Sequence, residues 1–86
     1  MPLLIIRRID GHSMEPTLKS GKITLASSLK KPKPGRIVIA KKDGIEIIKR
    51  VKAINAGQMF LVGDNKNPAH NARVPLRNFV ATKLFS

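Results

Sequence analysis

Two residues of this chain sit where ordinary side chains acquire chemistry. Ser13 lies in Gly11-His12-Ser13-Met14-Glu15-Pro16-Thr17-Leu18, between two apolar runs. A serine after a Gly-containing turn, braced by a proline, presents its hydroxyl beside free backbone N–H groups. Those are the parts of a nucleophile with an oxyanion site, and equally the parts of a structural turn. Lys49 lies in the run from Ile45 to Ile54. As a strand, that run puts Ile45, Ile47, Lys49, Val51 and Ala53 on one face, with Glu46, Ile48, Arg50, Lys52 and Ile54 on the other. Lys49 is then the only charge on an apolar face. Burial disfavours the ammonium, so a lysine held there has a lowered pKa and spends more time as a neutral amine. The plain alternative is a lysine whose stem lies on the sheet and whose head reaches water.

Other chemistries find little support. The chain has no cysteine, which excludes thiol catalysis, disulfide staples and a Cys-ligated metal. His12 adjoins Ser13, and neighbours in an extended chain point apart, so it is poorly placed as a base for that serine. His70 lies in a polar loop, the usual place of a solvated histidine. Two histidines and five scattered carboxylates show no ligand spacing, so neither a metal nor a cofactor is expected.

The elements that must position Ser13 and Lys49 read as strands. At 86 residues the chain has room for one domain, 1–86, with one small core. Short apolar runs punctuated by Gly, Pro, Asn and Asp predict an all-β class. Leu3 to Ile6 reads as a buried first strand, with Arg7 and Arg8 marking its exit from the core. Lys22 to Ser27 follows, with Ile23 and Leu25 alternating against Lys22 and Thr24. After a rigid link at Lys30-Lys31-Pro32-Lys33-Pro34-Gly35, Arg36 to Lys42 and Ile45 to Ile54 flank Asp43-Gly44, a strong hairpin signal. Asn55-Ala56-Gly57 turns the chain into Gln58 to Val62. A long polar loop from Gly63 to Arg73 precedes a closing strand within Asn78 to Phe85. The expected architecture is a small, coiled antiparallel sheet or partial barrel.

Four blocks along the chain then resemble one protein clan. Ser13-Met14-Glu15-Pro16-Thr17-Leu18, Pro34-Gly35-Arg36-Ile37-Val38-Ile39, Ile48-Lys49-Arg50-Val51 and Gly63-Asp64-Asn65 occur in the order and approximate spacing of type I signal peptidases. SOS-response repressor proteases belong to the same clan. The resemblance runs from about Gly11 to Val80, and in size the chain is most similar to the nickel superoxide dismutase maturation protease branch. It implies a serine endopeptidase with a Ser-Lys dyad: Ser13 as nucleophile, Lys49 as general base, the Ser13 N–H as oxyanion donor. Signal peptidases often carry a hydroxyl two residues before the nucleophile, where this chain has Gly11 with backbone alone. The implied substrate is an extended peptide cleaved after a small residue, with Met14 a wall of the pocket.

The last block departs from the clan. Where signal peptidases continue into Ser-x-Asp-Ser-Arg, this chain has Ala69, Asn71, Ala72 and Arg73. The first Ser orients the lysine in the clan, and the Asp pairs with the Arg. Arg73 is therefore expected to take Asp64 as its partner, and His70 is a candidate to replace the missing hydroxyl.

The charge points elsewhere. Seventeen Lys+Arg against five Asp+Glu give a net charge of +12, which suits an anionic partner. A basic β module binding nucleic acid or peptide without catalysis is the rival reading. Against it, Phe60, Phe79 and Phe85 are the only aromatics and fall in apolar strand positions, whereas single-strand binders stack bases on exposed aromatics. A protein or peptide is the expected partner and nucleic acid is not. Leu3 to Ile6 is far short of the roughly 20 apolar residues of a spanning helix. Peripheral contact with an anionic membrane stays open, and the lack of an export signal favours the cytoplasm.

Overall fold

Residues 4–85 are described by a computed structural model. They form one seven-stranded sheet: β1 (Leu4–Arg8), β2 (Ile23–Ser27), β3 (Ile37–Lys42), β4 (Ile45–Asn55), β5 (Gln58–Val62), β6 (Ala72–Pro75) and β7 (Phe79–Lys83). The spatial order is β1-β2-β7-β3-β4-β5-β6, and every pair is antiparallel. The sheet curls into a half-barrel, as the all-β reading expects. Two single-turn 3-10 segments, Pro68–His70 and Leu76–Asn78, interrupt the last third. No helix among the described residues is long and apolar enough to cross a membrane.

Two hairpins set the register around Lys49. Lys42 pairs with Ile45 across Asp43-Gly44, whose φ angles are 53° and 78°. Asn55 pairs with Gln58 across Ala56-Gly57, with φ of 52° and 77°. Left-handed backbone at both central residues is the two-residue turn whose twist matches that of its strands.

The core lies on both faces of β3, whose Ile37, Val38, Ile39 and Ala40 are all buried. Val38 and Ala40 join Val51, Met59, Leu61 and Val74 on one side. Ile39 joins Ala26 and Ala81 on the other. A strand covered on both faces reads as a continuous apolar run, as this one does.

The structure corrects several details. Leu3 lies outside the described residues, and the rest of the first strand is a sheet edge rather than a buried element, with Leu4 and Ile6 more than half exposed. In β2 the inward face is Thr24 and Ala26, and Ile23 is 68% exposed. The alternation expected through Ala53 breaks at a bulge between Val51 and Ala53. Lys52 is the extra residue, and beyond it Ile54, not Ala53, packs against the cluster containing Val51. The loop from Gly63 to Arg73 holds the Pro68–His70 turn and the start of β6. Phe85 lies beyond β7 and is exposed.

Candidate active site

Lys49 stands on β4 opposite Val38, between Ile47 and Val51, both of which pack into the cluster on that face. Its stem therefore runs over apolar surface, and its amine emerges where the loop after β1 crosses. There the Lys49 Nζ lies 3.0 Å from the Ser13 Oγ. Burial lowers the lysine pKa, and the nearby charge of Lys42 adds to the effect. A charged Nζ donates to the Oγ; a neutral one accepts the hydroxyl proton. Lowering the pKa moves the pair toward the second arrangement.

The loop that carries Ser13 is pinned at its base. Ile9 N–H donates to the Lys22 carbonyl at 2.7 Å, and Gly21 N–H donates to the Ile9 carbonyl at 2.8 Å. Gly11 adopts φ of 95°, a conformation that costs glycine little, and its N–H donates to Ser20 Oγ at 3.2 Å. Gly11 thus contributes the turn, while its N–H is spent on Ser20. Met14 is 2% exposed, so it plugs the loop onto the sheet. Leu18 N–H donates to the Met14 carbonyl at 2.8 Å. The Ser13 N–H has no acceptor among the described residues, which leaves it free to meet an oxyanion. His12 turns away to Glu15, with Nδ1 2.8 Å from the carboxylate.

Gly63-Asp64-Asn65 clamps this loop from the opposite side. Asn65 donates twice, from its N–H to the Ser13 carbonyl at 3.1 Å and from Nδ2 to the His12 carbonyl at 3.1 Å. Gly63 is packed so closely that an added Cβ would lie 2.5 Å from the Ser13 carbonyl oxygen. Thr17 Oγ1 donates to Asp64 at 2.6 Å. Arg50 grips both Asp64 oxygens, from Nε at 2.8 Å and Nη2 at 2.7 Å, and its Nη1 donates to the Gly35 carbonyl at 2.6 Å. The planar guanidinium suits this bidentate hold. It holds the Asp64 carboxyl below its ordinary range, with the Thr17 hydroxyl helping. The four sequence blocks thus meet at one place.

One expectation about this region fails, and one candidate role is not taken up. Asp64 pairs with Arg50, the residue after Lys49, and not with Arg73, because Arg73 lies exposed on β6 opposite Phe60. The sequence holds no signal for Arg50, which stands beside Lys52 as one of two cations on the second face of its strand. His70 Nδ1 lies 3.0 Å from the Asn65 side-chain oxygen, so it braces the clamp, and Lys49 has only Ser13 as a hydrogen-bond partner among the described residues. Ala69 is exposed in the Pro68–His70 turn. Neither Asn71, exposed, nor Ala72, in β6, contacts the pair by hydrogen bond among the described residues.

A family model described as Peptidase S24-like matches residues 3–79. The chain belongs to the Peptidase S24-like family. No curated protein and no solved structure matches it. The family fits the clan to which the four blocks pointed, and it is one of serine peptidase-like proteins.

In this S24-like chain a groove leads to Ser13 and Lys49. One wall is the end of β1 and the residues after it, Arg7 to Gly11; the other is Glu46 to Lys49 on β4, with Met14 at the serine end. β5 pairs with β4 only from Arg50 onward, so the N-terminal half of β4 has one unpaired edge. β1 pairs only with β2 and has another. No His, Cys, Asp or Glu cluster suited to a metal occurs among the described residues.

Proposed function

We propose that this chain is a serine endopeptidase that uses Ser13 as nucleophile and Lys49 as general base, cleaving an extended peptide after a small residue. The observation that carries the reading is the 3.0 Å approach of the Lys49 Nζ to the Ser13 Oγ, with the lysine shifted toward its neutral form. The neutral amine takes the Ser13 proton as the oxygen attacks the scissile carbonyl. The negative charge that develops on the carbonyl oxygen meets the free Ser13 N–H. Lys49, now an ammonium, returns the proton to the leaving amine, and the C–N bond breaks. Water then attacks the acyl-serine with Lys49 again as base, which frees the new carboxylate and restores the Ser13 hydroxyl. The substrate backbone adds to the unpaired edge of β4, and Met14 narrows the pocket beside Ser13 so that a small side chain fits.

A peptide-library digest with wild type, Ser13→Ala and Lys49→Ala tests the assignment. General-base removal costs roughly 10²–10⁴-fold, so both variants should lose cleavage by at least about 100-fold while circular dichroism is unchanged. Near-wild-type cleavage by either variant refutes the roles given.

A further inference from the structure

Glu46 and Arg7 tie the two walls of the groove together. The Arg7 guanidinium grips the Glu46 carboxylate through Nε and Nη2, across a gap that no strand pairing closes. The groove it spans holds about 170 Å³, below the roughly 300–1,000 Å³ of sites that enclose a ligand. An extended peptide entering between β1 and β4 must therefore part this pair. We infer that the Arg7–Glu46 pair makes the groove select a basic substrate side chain about three residues from the scissile bond. This inference rests on the peptidase reading above and names the substrate class for the same groove.

Position follows from strand geometry. Glu46 is three residues before Lys49 on one strand, and at about 3.3 Å per residue it stands roughly 10 Å from the lysine along β4. A peptide lying along that edge brings its third residue from the reacting carbonyl to Glu46.

The sign follows from how the two partners differ. The Arg7 side chain is 41% exposed and the Glu46 side chain 28%. Arginine is long, and its head can swing into water at little cost. The Glu46 carboxylate is more enclosed, and Arg7 is its only side-chain partner among the described residues. Once Arg7 leaves, Glu46 is a half-buried carboxylate whose remaining cationic neighbour is the exposed Lys41, opposite it on β3, and which makes no hydrogen bond to that lysine. A substrate Lys or Arg supplies a hydrogen-bonding cation; a substrate Asp or Glu meets repulsion. Arg8 and Asp10, which also line the groove, are both exposed and opposite in sign, so they do not reverse the preference.

The test uses peptides with a fixed small residue before the scissile bond and Arg, Gln or Glu placed in turn at each of the four positions on either side. A charge-assisted hydrogen bond supports a difference of about tenfold. Peptides with Arg three positions from the bond should exceed those with Glu by about that factor in kcat/KM. Glu46→Gln should flatten the ratio to near one. Exchanging the pair, Arg7→Glu with Glu46→Arg, should turn the preference toward Glu. Equal rates for Arg and Glu peptides in the wild type would overturn the inference, as would a preference that survives in Glu46→Gln. Should the exchanged variant fail to fold, the wild-type ratio and Glu46→Gln decide the matter by themselves. Binding of the same peptides to Ser13→Ala, followed by fluorescence anisotropy, separates the two proposals. Charge-selective binding without wild-type cleavage removes the peptidase and keeps the selectivity, and cleavage with charge-blind binding does the reverse.

Discussion

Lys49 is where one side chain's surroundings decide its chemistry. Seventeen cations are present, and Lys49 is the one that projects between Ile47 and Val51 from an apolar face toward a serine hydroxyl. Its place on an apolar face is legible in the sequence because Ile45, Ile47 and Val51 fall at period 2 around it. Its partner was not visible from periodicity, since Ser13 lies 36 residues earlier in a loop; the resemblance of the blocks supplied it. Arg50 stayed hidden for the opposite reason. An arginine on a mixed strand face gives no signal until the chain brings Asp64 to it. The pH dependence follows from the sign of the lysine shift. Cleavage needs the neutral amine, so activity should be low in acid and rise with pH, with its midpoint below the ordinary lysine value of 10.5. A kcat/KM profile measured with an uncharged peptide checks this, and a profile falling from pH 7 to 9 would contradict it. Lys49→Met extends the argument to stability. The folded state binds the Lys49 proton less readily than the unfolded chain does, so the charged lysine is a cost near neutral pH. Because that side chain is only half-buried, the effect is small: thermal melts should show Lys49→Met no less stable than wild type, although inactive.

At the level of elements, the strands and hairpins were legible and the strand faces were not always so. Asp43-Gly44 and the apolar run of β3 gave the centre of the sheet directly. In β2 hydropathy favours Ile23 and Leu25 over Thr24 and Ala26 as the inward pair, yet Thr24 and Ala26 are the buried ones and Ile23 is largely exposed. The bulge at Lys52 left no trace in the pattern, because Ala53 and Ile54 are both apolar and either serves as the inward residue. β6 carries little signal in the sequence, because it is a strand of four residues, ends in proline and is separated by a single residue from a 3-10 turn. The clamp on the Ser13 loop makes the strongest element-scale prediction. Gly63→Ala places a methyl 2.5 Å from the Ser13 carbonyl and 3.1 Å from His70 Cβ. The backbone oxygen cannot yield without moving the nucleophile's loop, and a displacement of about 1 Å can cost about 100-fold in rate. We expect Gly63→Ala to lose about that much activity while keeping the β-sheet circular dichroism signal. Asp64→Asn attacks the same clamp electrostatically. Arg50 holds the Asp64 carboxyl below its ordinary range, so its stabilising contribution is full above about pH 4 and is lost as acid carries the pH through the lowered value. Wild type should therefore lose more stability than Asp64→Asn on acidification from about pH 5 to pH 2, and parallel melting curves across that interval would show that the pair contributes nothing.

For the molecule as a whole, the charge of +12 describes a self-repelling surface. Three of the five carboxylates are occupied inside the site and its borders: Asp64 by Arg50, Glu46 by Arg7 and Glu15 by His12. That leaves Asp10 and Asp43 without an ion pair among the described residues to face the other lysines and arginines, and from Lys19 to Lys42 the sequence contains no Asp or Glu at all. Salt then acts in two directions. It weakens the two arginine pairs, whose partial exposure already limits what they contribute. It also screens repulsion among many cations, since the Debye length falls from about 30 Å at 0.01 M to about 3 Å at 1 M. On a body whose principal extents are 35 × 32 × 24 Å, the longer value couples charges across the whole surface and the shorter one only immediate neighbours. The many long-range repulsions outweigh two screened pairs, so stability should rise with ionic strength. We expect the melting temperature to increase by several degrees between about 0.01 M and 0.5 M sodium chloride, and to increase comparably with potassium chloride, because screening depends on ionic strength and not on the identity of the cation. A melting temperature that falls over that range would mean that the arginine pairs, and not the repulsion among the unpaired cations, dominate the electrostatics of the fold.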